Sequence, residues 1–390
     1  LKHNIKEIPF IPKSSFFDIT NIDALKFSLI HNDIHATLKQ DSPSEIKFDI
    51  FAACFYFLSR VEEYQQYVPD KHGRFSCNTS FLQKNDLALS PVVDIWTEQL
   101  KSFLQHHFAN IQINQANYKP ILSFDIDIAW AYKGKPFVRH YGNYIRDLIN
   151  LDFQTFSERK AVIKGTKTDP FDVYDYIKAI RKQTNIEMLF FIHVRSGGKY
   201  DKAVSTKSKE FHHLIKELAE IGTIGIHPSY SGGQNSLEIR KEKEIIEQIT
   251  KQEIICSRQH FLKLHIPQTL TALEKAGIKE DYTMGFADGL CWRAGTTKPF
   301  QVFDINNDRA MSLNTHTVSV MDGTLHEYLQ LAPAEAMIKI KEILQISNQY
   351  KGEFIALWHN ETISNHKKWA NWKEKVFEVL VDELQKNTDK

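Results

Sequence analysis

From Pro120 onward the chain alternates short apolar runs with segments whose apolar residues recur every three or four positions. Residues 121–126 (ILSFDI) form an apolar run that ends in carboxylates. Residues 186–194 (IEMLFFIHV) are almost continuously apolar, as in a strand covered on both faces. Residues 208–221 then place Phe211, Leu214, Ile215, Leu218 and Ile221 at helical spacing, with Gly222 as a stop. A strand follows at 223–227 (TIGIH). The same reading predicts helices at 171–184, 237–250, 267–276, 333–346 and 369–384, and strands at 282–286, 317–321 and 354–358. Strand–helix alternation implies a parallel sheet with helices outside it. About six or seven such units suit a complete or incomplete β/α barrel, with a doubly wound sheet as the alternative. No Gly-rich nucleotide-binding loop follows any strand.

The first 117 residues read differently. Residues 48–64 (FDIFAACFYFLSRVEEY) are helical in character and end in Arg60, Glu62 and Glu63. Residues 69–74 are a polar turn cluster, and 91–103 return to helical spacing through Val92, Ile95, Trp96, Leu100 and Phe103. The chain therefore divides into a smaller, mainly helical or α+β N-terminal domain (1–117) and an α/β domain (118–390).

Composition narrows the partners. With 49 basic and 48 acidic residues the net charge is +1, which gives no reason to expect nucleic acid or an anionic membrane. The most apolar stretch, 50–58, is far short of the roughly 20 residues a membrane span needs. Cys54, Cys77, Cys256 and Cys291 are scattered and form no C-x-x-C pair, so they read as small core residues in a reducing compartment. No secretory signal is visible, and the expected location is cytoplasmic. The chain begins at Leu1, however, so a leader ahead of it would change that to periplasmic or secreted.

The chemistry gathers where strands end, which in a barrel is the active face. Asp125 and Asp127 share one side of a continuing strand, and two carboxylates there call for a cation or a shifted proton. His227 follows the TIGI strand and precedes Pro228, Ser229, Tyr230, Ser231 and the pair Gly232-Gly233. Arg258, in Ser257-Arg258-Gln259-His260-Phe261, suits a bidentate grip on a carboxylate. Asp288 and Trp292 lie in a loop after a short strand, Trp292 as a candidate wall for a sugar ring. His359 ends the last strand in Leu357-Trp358-His359-Asn360 as a candidate proton donor.

This ordered set resembles the polysaccharide deacetylase (NodB homology) family of carbohydrate esterases over residues 118–390. Ser123-Phe124-Asp125-Ile126-Asp127 is similar to the family's first motif in its spaced F-D-V-D form. The segment from His227 to Ser231 is similar to the second motif, Arg258 with Phe261 to the third, Asp288 to Arg293 to the fourth, and Leu357-Trp358-His359 to the fifth. The resemblance implies a distorted barrel of the deacetylase type. It makes Asp125 the general base held by Arg258, and Asp127, His227 and Ser231 the ligands of a divalent metal, zinc first, with cobalt, nickel or manganese as alternatives. His359 becomes the proton donor, Tyr230, Trp292 and Asp288 the substrate wall, and a backbone N–H near Tyr230 an oxyanion donor. The implied substrate is an N- or O-acetylated glycan. Ser231 stands where the family has a second histidine, and Pro228 where it has Ser or Thr; a serine hydroxyl is a poor ligand beside imidazole. A non-catalytic carbohydrate-binding scaffold and an amidohydrolase acting on a non-sugar amide are the alternatives.

Overall fold

The computed structural model describes residues 11, 13, 34–39 and 42–388, without 109, 115, 136 and 365. The strands are β1 (Lys119–Ile126), β2 (Glu187–Ile192), β3 (Thr223–Ile226), β4 (Cys256–Ser257), β5 (Glu280–Met284), β6 (Phe300–Asp304), β7 (Arg309–Thr317), β8 (Val320–Met321) and β9 (Glu353–His359). They form one sheet in the order β6-β7-β5-β4-β3-β2-β1-β9-β8. Only β6 is antiparallel to its neighbour.

β7 and β8 flank opposite sides of the sheet, yet only Val318 and Ser319 separate them in sequence. The Val318 N–H donates to Met284 O on β5, and the Ser319 N–H donates to Ile355 O beside it on β9. The sheet therefore curls until its flanks meet, giving an incomplete barrel and ruling out the doubly wound alternative. Helices Tyr174–Gln183, Lys209–Ile221, Ser236–Thr250, Gln268–Lys275 and Pro333–Gln349 cover its outside.

Strand parity sorts the residues. Leu122, Phe124 and Ile126 on β1, Met188, Phe190 and Ile192 on β2, and Phe354, Ala356 and Trp358 on β9 join the core beneath the helices. Ile121, Leu189, Phe191, Cys256, Tyr282 and Ile355 form the smaller interior cluster. Each site residue named from the strand ends shares that interior parity: Asp125 follows Ile121 by four positions, Arg258 follows Cys256 by two, and His359 follows Ile355 by four. Gly225 is needed on β3 because a Cβ there would lie 2.6 Å from the Phe191 ring.

Two expectations change in the N-terminal region. The helix expected at 48–64 is broken into Ile50–Leu58 and Val61–Tyr64 by Arg60, whose φ of 54° is left-handed. Its charged end is not solvated. Arg60 pairs with Glu62 and Glu63, and Glu63 pairs at 2.6 Å with Arg293 of the α/β domain, all of them buried. A fully satisfied buried network of this kind fixes geometry rather than adding much stability. The region has its own apolar cluster around Phe57, Val61 and Trp96, which Phe286 and Cys291 complete from the other side. All four cysteines are free thiols. Helices Phe137–Ile149 and Phe153–Ile163 and the β6–β7 hairpin were not expected from the sequence.

Candidate metal centre

β1 ends at Asp125 and Asp127, and β3 delivers His227 beside them. The His227 Nδ1 lies 2.6 Å from the Arg258 carbonyl, which can only accept, so Nδ1 carries the proton. Its Nε2 therefore presents a lone pair in the neutral ring. That atom lies 3.1 Å from Asp127 Oδ1 and 3.7 Å from Asp125 Oδ2. Asp127 Oδ1 is buried and has no hydrogen-bond partner. Two acceptors held this close require a proton or a cation between them.

The third member comes from beyond β4. His260 Nε2 lies 3.3 Å from Asp127 Oδ2. Asp127, His227 and His260 each offer one ligand atom, all within 4.8 Å of one another. Two imidazoles and one carboxylate leaving a further position open are the donor set of a catalytic zinc-type site. These residues fit a divalent ion. Burial would raise the Asp127 carboxyl, but His260 and His227 outweigh it and hold the carboxyl well below the usual range. Burial would lower His260, but Asp127 and Asp201 push it up to about 9.

Asp201 backs this site. It lies 3.7 Å from His260 Nδ1 and 3.6 Å from His193 Nε2, and His193, Asp201 and His260 form a second cluster able to hold an ion. Burial and then the charge of His260 push His193 down to about 4. Asp201 also accepts from the Tyr230 N–H at 2.8 Å and the Ser231 hydroxyl at 2.8 Å.

Those two bonds correct the sequence reading. Ser231 is tied to Asp201 and is absent from the triad; His260 stands in its place. The Tyr230 N–H is committed to Asp201 and is not free as an oxyanion donor. The Tyr230 ring stands 4.5 Å from the Tyr200 ring, and its hydroxyl is hydrogen-bonded to His72 at 3.2 Å. Trp292 is no sugar platform: it is 2% exposed and belongs to the main core. Asp288 accepts from the Cys77 N–H and the Ser76 hydroxyl, so it anchors the N-terminal region rather than a substrate.

Arg258, Asp125 and His359 also gather at these strand ends. Arg258, fully buried, donates to Asp125 Oδ1 at 2.9 Å and to the Tyr282 carbonyl at 2.9 Å. The His359 Nδ1 donates to Asp322 at 2.9 Å, leaving Nε2 4.0 Å from Asp127 Oδ2. Burial would lower His359, yet Asp322 raises it well above the ordinary histidine range. Asp322, Asp201 and His260 escaped the sequence reading. A signal existed for His260, since it follows Arg258 by two in extended backbone and so shares its side. A cavity of about 150 Å³ opens beside the triad, lined by Asp127, Lys199, Tyr200, His260, Phe261 and His359 among others.

Residues 1–109 match a family of unknown function (DUF7033). No curated protein matches the chain. Among solved structures, a Mycobacterium smegmatis protein described as a polysaccharide deacetylase is similar at 15% identity and a TM-score of 0.44, over 69% of this chain and 86% of that one. The polysaccharide deacetylase Bc1974 from Bacillus cereus is similar at 13% identity and a TM-score of 0.31, over 68% and 88%. BA3943 from Bacillus anthracis, a CE4 family pseudoenzyme, is similar at 14% identity and a TM-score of 0.28, over 70% and 63%.

Proposed function

We propose that residues 118–390 form a divalent-metal hydrolase that removes acetyl groups from N- or O-acetylated sugars of a glycan, with residues 1–117 as an accessory domain. The observation that carries this reading is the 3.1 Å approach of the His227 Nε2 lone pair to the orphaned Asp127 Oδ1, with His260 completing the triad. Zinc suits the two-histidine, one-carboxylate set best. Such an ion, when bound, supplies Lewis acidity toward an acyl carbonyl and acidifies a water.

The chain's own residues do the rest. Asp125 accepts the proton of the attacking water, and Arg258, paired with that carboxylate at 2.9 Å, aims it. His359, kept protonated by Asp322, points Nε2–H at the cavity and donates to the departing amine or alcohol. Asp201 sets a negative charge 3.7 Å behind the ring of the ligand His260, as carboxylates behind metal-bound imidazoles do. With His260 in the triad, the metal does not need Ser231. That supports the catalytic reading over the non-catalytic scaffold.

The test joins metal analysis to acetate release from chitooligosaccharides and acetylated xylan. Parent protein and Ser231→Ala should bind one zinc per chain and release acetate, whereas His260→Ala should lose zinc by roughly 100-fold or more in affinity, beyond the range for outer-shell changes. Zinc binding that survives His260→Ala but not Ser231→Ala would overturn the ligand set. Zinc binding without acetate release, together with cleavage of small amides, would move the activity to the amidohydrolase reading.

A further inference from the structure

We propose that the helical hairpin formed by Phe137–Ile149 and Phe153–Ile163 docks the protein onto an anionic lipid bilayer. The hairpin is inserted between β1 and β2. Among the described residues fifteen large apolar side chains are exposed, and six of them fall between 145 and 163: Ile145, Leu148, Ile149, Leu151, Phe153 and Ile163. Ile149 is 74% exposed, Leu151 71% and Phe153 62%, all at the hairpin tip.

The first helix is mounted with its polar side inward. Asp147 is buried against Arg159 of the second helix at 2.8 Å, and Tyr144 packs on Phe156. The apolar stripe of Ile145, Leu148 and Ile149, at i, i+3 and i+4, is left facing out. An amphipathic surface helix ordinarily does the reverse. A patch of this kind marks an interaction site.

Charge selects the partner. The whole chain is balanced at +1, yet residues 133–167 hold eight Lys and Arg against three Asp and Glu. Arg146 is exposed near the tip, and Lys160 and Lys164 are exposed toward the far end of the second helix beside Ile163; none of the three forms an ion pair among the described residues. An apolar ridge bordered by unpaired cations is the pattern of an interfacial helix on anionic lipid. A second copy of this chain would bring like charges together across the same face, which disfavours self-association there. No helix among the described residues is long and apolar enough to cross a membrane. The hairpin also abuts the cavity loop, because Arg139 donates to the Lys202 carbonyl at 2.9 Å.

The experiment is co-sedimentation of the full chain with phosphatidylcholine vesicles, with and without phosphatidylglycerol. Binding is expected to the anionic vesicles and to weaken about tenfold or more on neutral ones or in high salt. Ile149→Glu/Leu151→Glu should lose binding at least tenfold while circular dichroism and zinc binding stay unchanged, both positions being exposed. Lys160→Glu/Lys164→Glu should lose it by a similar factor, and Ile149→Trp should show a blue-shifted emission on vesicle addition. Three results would overturn the proposal: no binding to anionic vesicles, undiminished binding by the tip variant, or a parent dimer that Ile149→Glu dissociates, which would give the face to a second copy.

Discussion

The curled sheet carries a histidine between carboxylates at each of its two ends, and the two ends differ in what they leave unfinished. At the entry end His316 on β7 bonds Glu353 at 2.6 Å through Nδ1 and Glu280 at 2.8 Å through Nε2, while its ring stacks on Tyr282 at 4.1 Å. Both nitrogens are satisfied, and the contact ties β5, β7 and β9 together near the seam of the barrel. At the exit end Asp127 Oδ1, His260 Nδ1, His193 Nε2 and Arg258 Nη2 are buried without hydrogen-bond partners. Leaving such groups unmade costs roughly 1–3 kcal/mol each. The same residue types thus make a closed clamp at one end and an open ligand set at the other. Between these two histidine–carboxylate sets, hydrogen-bond satisfaction separates the ends where the presence of histidine does not.

The largest effect that could break this contrast is chemical. Asp125→Asn should lower acetate release by about 10²–10⁴-fold, the usual worth of a positioned general base, with zinc content retained. Unchanged turnover would remove Asp125 from the chemistry. Next is the clamp. His316→Ala would leave Glu280 and Glu353 facing each other, and urea unfolding should show a loss of roughly 2–3 kcal/mol. Zinc affinity should not move. If it fell with stability, the two ends would be one coupled unit and the contrast would fail.

Most of the frame could be read from the chain because parity along a buried strand is a local property. The alternation in ILSFDI already places Asp125 on the side opposite Leu122 and Phe124. The closing helix, by contrast, starts as the π-helical turn Lys373–Phe377, which helical periodicity does not describe well. β7 alternates through Met311, Leu313 and Thr315, but its polar Thr and Asn content hid it. His260 was in view in Ser257–Phe261, on the same side as Arg258, and was still missed; the backbone turns left-handed at Phe261 (φ 63°), so the segment reads as a loop rather than a continuing strand. Asp201 gave no local signal: it is brought to the site by the loop following β2. Trp292 and Ser231 were over-read for the matching reason. Burial and hydrogen-bond partners across the fold decide what a loop residue faces.

Asp201 offers a finer test of the open end. Asp201→Asn keeps the shape and can still accept from the Tyr230 N–H, but it removes the charge behind His260 and His193. Zinc affinity should weaken by about 10–100-fold, the range for carboxylates behind metal-bound histidines. Calorimetric titration of zinc measures this without any substrate. An unchanged affinity would leave Asp201 as a mere tether for Tyr230 and Ser231.

The smallest expected effect separates the two ends by pH. Burial would lower His316, but Glu280 and Glu353 raise it to about 9, against 6.5 for an ordinary histidine. The folded state therefore holds this proton more tightly than the unfolded chain does. The clamp's contribution is fully present below about pH 6.5 and is lost as pH rises through about 9. Between pH 7 and 8.5 the His316 part of the unfolding free energy should fall by about 1.5–2 kcal/mol, measured on metal-free protein. His316→Gln, which keeps a hydrogen-bonding side chain but cannot titrate, should flatten that slope. The exit end contains His260, also raised to about 9, and His359, held well above the ordinary range by Asp322, so the slope remaining in His316→Gln reports that end. Saturating zinc should remove the His260 share, because a bound ion replaces the ligand's proton, while leaving the His316 part in place. A slope that zinc abolishes entirely in the parent would assign all of it to the exit end and leave the clamp without a titrating role.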